Sequence, residues 1–198
     1  MRFTRPLILF LVIAISTIVV WTWRTGEFPK PLRGLFSSPE GTLEIHLKDH
    51  REAIDDFAKL EVTVVQVSIR PRLEPGGSEA PWRSIVPSVK RVDLTQYTGS
   101  LSAMIFSGPQ PVDTFEAINL QLEPVTGVAK ETGEVIPIKN QISPIKLGFS
   151  IDTGKVTKIV IDLVVLDISD HPPRGYELHI KGYEIYTDGR LIQRIPPA

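Results

Sequence analysis

The chain of 198 residues contains no cysteine. This absence excludes disulfide bonds, thiolate metal sites, a cysteine nucleophile and the acylated cysteine of a lipoprotein. Motifs of several enzyme classes are also missing: the sequence has no Gly-x-Ser-x-Gly elbow, no Gly-x-x-x-x-Gly-Lys phosphate loop and no Gly-x-Gly-x-x-Gly dinucleotide motif. The sequence therefore points to no cofactor and to no catalytic residue.

A block of basic residues is absent as well. Residues 1–40 hold five of the 22 Lys and Arg and two of the 23 Asp and Glu, which leaves residues 41–198 with a formal charge of −4. Because neutralisation of phosphates by Lys and Arg supplies most of the affinity for nucleic acids, a weakly acidic domain is a poor binder of them. We expect no nucleic-acid partner.

What the sequence does contain is a long apolar segment, residues 7–23, which carries no charge and is bounded by Arg5 and Arg24. As a helix these 17 residues would extend about 26 Å, close to the roughly 30 Å hydrocarbon core of a bilayer. Trp21 and Trp23 suit the membrane–water interface, where an indole keeps its N–H hydrated. The segment predicts a transmembrane helix in contact with the lipid bilayer, with Arg5, Trp21, Trp23 and Arg24 at the interface.

A cleaved signal peptide is the alternative, since Arg2 and Arg5 form a short positive amino-terminal region. The apolar segment is longer than that of most signal peptides, and no pair of small residues marks a cleavage site at its end. We therefore predict an uncleaved, single-pass signal-anchor preceded by a short tail, residues 1–6. Residues 24–40 would be a juxtamembrane linker and residues 41–198 one domain outside the cytoplasm, whereas cleavage would yield a free secreted domain.

From residue 41 onward, apolar and polar residues alternate with period two, which is typical of half-buried β-strands. Residues 60–69 change parity midway, which suggests a β-bulge, and residues 158–168 form the most apolar run and the predicted central strand. The predicted strands cover residues 43–47, 60–69, 82–86, 89–94, 101–106, 117–122, 127–130, 134–138, 145–151, 158–168, 176–180, 183–187 and 191–195. With turns such as Asp188-Gly189 and no convincing amphipathic helix, this pattern predicts an antiparallel sandwich or barrel.

Carboxylates are the most informative candidates for a site. Asp162 interrupts the most apolar strand, and Asp167 follows it with opposite parity, so the two should lie on opposite faces. The simpler interpretation is an Asp held by a neighbouring loop or by a basic side chain. The alternative is a cation or ligand site shared with Asp49 or with Asp55-Asp56. Asp49, Asp162 and Asp167 are thus weak metal candidates and not an assigned metal site.

Histidines and aromatic residues permit two interpretations each. His46 and His179 share the polar parity of their strands, so we expect both to be exposed rather than to bind a metal. Aromatic residues of the domain could form a platform for stacking a sugar, although core packing is the simpler explanation. The residues concerned are Trp82, Tyr97, Tyr176, Tyr183 and Tyr186.

The order of several segments resembles the domain-of-unknown-function family DUF4382, which occurs in exported bacterial and archaeal proteins. The similar segments are the first strand, residues 41–49, the segment 93–99, the strand around Ile161-Asp162-Leu163 and the closing strand that begins at Tyr176. After Asp49 the family usually has Ala-Pro, whereas this chain has His50-Arg51. The resemblance implies an all-β, antiparallel, Greek-key-like sandwich of the immunoglobulin or transthyretin kind. It brings no established activity and no catalytic residues.

These observations favour a non-catalytic interaction, adhesion or scaffold module of the cell envelope. An envelope protein or a glycan would be its partner. The alternative is a carbohydrate- or cation-binding domain, and a hydrolase is the least favoured class. Exposed loops at the ends of a sandwich suit binding, and no catalytic set of residues competes with that interpretation.

Overall fold

The computed structural model describes residues 38–73, 80–170 and 175–195. The chain divides into two units, Met1–Ser38 and Pro39–Ala198, and nearly all of the described residues belong to the second. None of the helices in the described ranges is long and apolar enough to cross a membrane. Outside these ranges lie the predicted span 7–23, its interface residues Arg5, Trp21, Trp23 and Arg24, and most of the predicted linker 24–40.

The described residues form twelve strands and two short 3₁₀ turns, so the all-β class is confirmed. The 3₁₀ turns are Ala53–Asp56 and Leu94–Gln96. The strands are β1 Glu40–Asp49, β2 Phe57–Pro71, β3 Arg83–Ile85, β4 Arg91–Asp93, β5 Ala103–Pro111, β6 Asp113–Leu122, β7 Val125–Ala129, β8 Val135–Asn140, β9 Ile145–Ile151, β10 Val156–Asp167, β11 Tyr176–Thr187 and β12 Arg190–Ile195.

The strands form one sheet in the order β5-β1-β10-β11-β8-β7-β2-β6-β9, with β12 beside β11 and with β3 and β4 beside β2. The expectation of a purely antiparallel sheet is wrong, because β1 pairs with β10 in parallel and β8 pairs with β11 in parallel. Parallel neighbours require a long crossover connection. Turn signals reveal only strands joined by short loops, which explains why the sequence pattern did not indicate these two pairs.

One hydrophobic core lies between the two halves of this sheet, which gives the domain a sandwich-like build. In β1, Leu43, Ile45 and Leu47 are fully buried, while the residues between them face outward. In β10, the alternate residues Ile159 and Ile161 enter the same core. β10, predicted as the central strand, is an interior strand between β1 and β11 and is third in the order of the sheet. The outward-facing residues of β1 and β10 are therefore free to form a site.

The structure contains two local features that the sequence predicts, a bulge in β2 and a hairpin turn after β11, but not the predicted break within residues 176–187. The parity change in β2 corresponds to a register shift between Val64 and Gln66, which confirms the predicted bulge. Asp188 and Gly189 both have positive φ and join β11 to β12, as a type I′ hairpin turn requires. Two strands predicted over residues 176–187 are instead the single strand β11, whose pairing with β10 shifts opposite Asp162 and Leu163.

Candidate functional site

A polar pocket lies on the outer face of β1, β10 and β11 and extends to the end of β1. Its volume is about 530 Å³. Ser100 and Ser102, on the segment before β5, also line it. Its charged lining residues are Lys48, Asp49, His50, Arg51, Lys158, Asp162, Glu184 and Arg194.

The strand register places Lys48 beside two acidic residues of the pocket. Lys48 is directly opposite Asp162 in the parallel pair of β1 and β10. Its Nζ lies 3.5 Å from Asp162 Oδ2 and 3.3 Å from Glu184 Oε1, with only 13% of the side chain exposed. One ammonium group therefore compensates two carboxylates that come from neighbouring strands.

Glu184 on β11 is held from several sides. Arg194 Nε on β12 lies 3.0 Å from Glu184 Oε1, and the Tyr186 hydroxyl donates a hydrogen bond to Oε2. Burial alone would raise the pKa of Glu184, but the Tyr186 hydrogen bond and the charges of Lys48 and Arg194 outweigh it, so the pKa lies below its ordinary value. Glu184 is thus ionised at neutral pH and fixed in position.

Asp49 is the last residue of β1 and continues the buried parity of Leu43, Ile45 and Leu47. Its side chain is held in an Asx-type turn, because the Arg51 backbone N–H donates to Oδ1 at 2.8 Å, and Arg51 has a φ of 65°. Only 1% of Asp49 is exposed, and its Oδ2 has no hydrogen-bond partner among the described residues.

Burial therefore governs the charge of Asp49. Desolvation raises its pKa to about 6, and the nearby charge of Asp162 acts in the same direction, while the hydrogen bond from Arg51 opposes it. A carboxylate with a free oxygen in this environment costs free energy unless a donor reaches it. Asp49 is consequently poised between its neutral and charged forms near neutral pH.

Asp162 faces outward from β10 and is 8% exposed. Its Oδ2 lies 3.2 Å from His50 Nδ1 and close to the Lys48 ammonium. Its Oδ1 is buried and lacks a hydrogen-bond partner within the described part of the chain. Asp49 and Asp162 thus both line the pocket, and each keeps one buried oxygen without a hydrogen-bond partner in the described ranges.

The structure brings together two of the three carboxylates that the sequence suggested. Asp49 and Asp162 line the pocket, but Asp167 does not. Asp167 lies exposed at the end of β10, where the Ser169 hydroxyl and backbone N–H both donate to its Oδ1 and lower its pKa. Asp55 and Asp56 also lie outside this pocket, and Asp56 Oδ2 accepts a hydrogen bond of 3.1 Å from the Tyr176 hydroxyl.

His46 is less exposed than its position in the strand predicts. Its side chain is 15% exposed, and its Nδ1 lies 3.1 Å from Ser102 Oγ. Desolvation lowers the pKa of His46, although Glu44 opposes this effect. The alternation of residues identified the outward face correctly, but it could not show that Ser102, on the segment before β5, would cover that face.

Glu44, His46 and Ser102 have the residue types of an acyl-transfer triad. The distance from His46 Nε2 to Glu44 Oε2 is 3.6 Å, which is too long for a hydrogen bond, and Nε2 has no other partner in the described ranges. The third group therefore does not orient the imidazole as a triad requires. This arrangement is a serine–histidine hydrogen bond and does not by itself define a catalytic site.

The side chains of the same pocket are poorly arranged to hold a metal ion. Across residues 38–73, 80–170 and 175–195, no three His, Asp or Glu side chains are arranged to hold a metal ion. The Lys48 ammonium already occupies the position between Asp162 and Glu184 that a cation would need.

The sequence pattern did not identify six charged residues of the pocket as members of a site: Lys48, His50, Arg51, Lys158, Glu184 and Arg194. Lys48 and Glu184 belong to strands that are more than one hundred residues apart, and they become neighbours through the parallel pairing of β1 with β10 and the antiparallel pairing of β10 with β11. No local signal in the sequence encodes that register. The tyrosines suggested as a sugar platform are dispersed, and only Tyr186 lines the pocket.

Fold and pocket together define an all-β, sandwich-like domain with a polar cavity on the adjacent strands β1, β10 and β11. The family model Domain of unknown function (DUF4382) matches residues 40–179. The chain therefore belongs to this family, and the resemblance seen in the sequence is confirmed. No curated protein and no solved structure matches the chain. The matched range ends within β11, so Glu184, Tyr186 and Arg194 lie beyond it.

Proposed function

We propose that the chain is a membrane-anchored, non-catalytic binding module that serves adhesion or scaffolding in the cell envelope. The observation that carries this proposal is the polar pocket of about 530 Å³, in which charged side chains of both signs from β1, β10, β11 and β12 come together. Binding sites in proteins are concave and use a few convergent polar groups to orient a ligand. The lining of this pocket supplies such groups.

The domain would be a Greek-key-like sandwich of the immunoglobulin or transthyretin kind, displayed outside the cytoplasm. Residues 7–23 would anchor it in the bilayer, with Arg5, Trp21, Trp23 and Arg24 at the interface. In support, Asp49 and Glu40 are at opposite ends of β1, about 30 Å apart for ten extended residues. The end of the pocket at Asp49 is therefore remote from the point where the chain enters the domain.

The placement of the anchor is tested by protease digestion of sealed membrane vesicles after a wash at high pH. We expect the full-length chain to stay in the membrane pellet and the domain to be cut only when protease is on the exported side. A soluble domain that lacks residues 7–23 would show that the segment is a cleaved signal peptide. Digestion only from the cytoplasmic side would contradict the proposed orientation.

Carbohydrate binding is a second candidate, and the pocket favours it over cation binding. Lys48, Arg51, Lys158 and Arg194 place four permanent positive charges around three carboxylates, which opposes a divalent cation. Thermal unfolding of the full chain with calcium and with a panel of glycans separates the two ligands. We expect stabilisation by a glycan and none by calcium at millimolar concentration, and the reverse result would favour the cation.

The non-catalytic assignment is tested at Ser102, a pocket residue whose Oγ lies 3.1 Å from His46 Nδ1. We expect no ester or amide hydrolysis by the full chain above the level of a Ser102→Ala variant. Hydrolysis that is lost in Ser102→Ala and in His46→Gln, while both variants remain folded, would contradict a purely binding role.

A further inference from the structure

We propose that the free edge of β12 binds an extended, acidic segment of a partner protein, which adds a strand beside β12 and places apolar side chains in the cavity between β12 and β9. This cavity shares no lining residue with the polar pocket, so the inference goes beyond the proposed function. It depends on three features: an open strand edge, an adjacent cavity and the local charge.

The edge of β12 is less protected than the other edges of the sheet. Among the described strands β12 pairs only with β11, and its six residues are all exposed. Short strands, prolines and lysines are common protection against unwanted pairing. β3 and β4 have three residues each, β5 contains Pro109 and Pro111, and β9 carries the exposed Lys146. β12 is twice as long as β3 and contains neither proline nor lysine, so its outer edge can accept another strand.

The composition of β12 is unusually apolar for an exposed strand. Its three large apolar side chains are Leu191, Ile192 and Ile195, which are 41%, 60% and 42% exposed. Ile192 is the extra residue of a bulge, which forms at the register shift between Ile185 and Tyr186. Because a bulge redirects a side chain, Ile192 lies at a cavity rather than in the ladder of β11 and β12.

The cavity beside Ile192 lies between β11 and β12 on one side and β6 and β9 on the other, and its volume is about 640 Å³. Its lining includes Phe149 of β9 and Gln193 of β12. Successive side chains of a strand point to opposite faces, so every second side chain of a strand added to β12 would point toward this cavity. Strand addition obtains affinity from backbone hydrogen bonds and specificity from such alternate side-chain sites.

The charge of this region favours an acidic partner. β12 contains Arg190 and Arg194 and no acidic residue, and Arg72 lines the cavity. Arg194 pairs with Glu184, but neither Arg190 nor Arg72 forms an ion pair within residues 38–73, 80–170 and 175–195. Pairing of β12 with a second copy of itself would bring the arginines of both strands together, which like-charge repulsion opposes. An acidic strand is complementary to the same edge.

The test is the binding of fluorescent synthetic peptides to the full chain in detergent, followed by fluorescence polarisation. The main probe alternates valine with glutamate, and a second probe has lysine in place of glutamate. Two further probes have the main sequence with N-methyl groups on the valines or on the glutamates, so that each loses the backbone donors of one edge only. We expect the glutamate peptide to bind, the lysine peptide to bind at least tenfold more weakly, and only one N-methylated peptide to bind.

A pair of protein variants locates the site. Ile192→Asp should weaken the glutamate peptide at least tenfold, because it places a carboxylate at the cavity, and the exposure of Ile192 should let the variant fold. Val86→Asp is the matched control, since Val86 follows β3 and is 71% exposed, and it should bind as the natural chain does. Hydrogen exchange should show that the peptide protects the amides of β12.

Equal binding of the two N-methylated peptides would overturn the inference, because the contact would then be apolar adhesion without strand pairing. Equal binding of the lysine peptide, protection of β5 or β9 instead of β12, or absence of binding by every peptide would overturn it as well. Self-association that is lost in Ile192→Asp would show that a second copy occupies the edge. Binding to anionic lipid vesicles that is lost in the same variant would show a lipid surface, and either result would contradict a protein partner.

Discussion

The inner and outer faces of β1 and β10 belong to the same two strands but differ in composition and in role. On the inner face, side chains such as Ile45 and Ile161 are fully buried and belong to one continuous core. On the outer face, Lys48 and Asp162 meet at the same register, and Glu184 from β11 joins them. The inner face stabilises the domain, whereas the outer face retains polar atoms that the fold itself does not satisfy.

This difference shows where stability and function can be separated. Core residues have many apolar neighbours, so their removal destabilises the whole domain. Outer-face residues interact through a few hydrogen bonds and charges, so their removal should change pH dependence, local pKa values and ligand binding more than stability. Four substitutions test this division, and they follow from the largest expected effect to the smallest.

Replacement of Ile45 by Ala should lower the free energy of unfolding by about 3 kcal/mol, since it removes three carbons from a fully packed site. Ile45 has no exposed surface, so the cavity cannot be filled by solvent-facing groups. Denaturant unfolding of the full chain measures the change. The adjacent Glu44→Ala on the outer face is the matched control and should cost under about 1 kcal/mol. Equal losses would contradict the division between the two faces.

Replacement of Asp49 by Asn should change how stability depends on pH. The pKa of Asp49 in the folded domain is about 6, above its ordinary value, so the folded state holds this proton more tightly than the unfolded chain. The stabilisation from Asp49 is therefore present below about pH 4 and is lost as pH rises through about 6. The expected change is about 3 kcal/mol between the two limits.

The quantity to measure is the difference in unfolding free energy between Asp49→Asn and the natural chain, at pH 4 and at pH 8. The variant should be more stable than the natural chain at pH 8 and should lose that advantage at pH 4, because only the natural chain must ionise a buried group. The control Asp167→Asn concerns an exposed carboxylate whose pKa is lowered, so it should show no gain at pH 8. A difference independent of pH would show that Asp49 is not desolvated as described.

The same residues show what the sequence could predict. The alternation of β1, the bulge in β2 and the Asp188-Gly189 turn depend on local periodicity and turn chemistry, so the sequence predicted them correctly. Asp49 and Asp162 stood out as candidates because each one interrupts or ends an apolar strand. Their shared pocket was only one alternative, because no local signal fixes the pairing of strands that are far apart in the chain.

What the sequence could not predict is the environment of each group. Lys48 and Glu184 become neighbours only through the parallel register of β1 with β10 and the antiparallel register of β10 with β11. The burial of His46 depends in the same way on Ser102, which precedes β5. Long-range pairing determines burial, and burial determines the charge state of the site.

Replacement of Lys48 by Met should cost about 2 kcal/mol, since it leaves Asp162 and Glu184 without their shared, mostly buried counter-ion. The loss of a positive charge should also raise the pKa of Glu184, which NMR titration of the carboxyl carbon can follow. Lys48→Arg keeps the charge and should retain most of the stability. An unchanged pKa of Glu184 in Lys48→Met would contradict the central role of this ammonium group.

Replacement of Arg194 by Ala should have the smallest effect, below about 0.5 kcal/mol. Arg194 contacts the same carboxylate as Lys48, and its Nε lies 3.0 Å from Glu184 Oε1, but 55% of its side chain is exposed. Water and salt screen such a pair, whereas Lys48 is shielded from both. A double-mutant cycle of Arg194→Ala with Glu184→Gln, measured at low and at high salt, isolates the pair. We expect a weak coupling energy between Arg194 and Glu184 that falls further at high salt. A strong coupling energy that does not change with salt would contradict this expectation, because it would mean that β12 shields the pair from solvent.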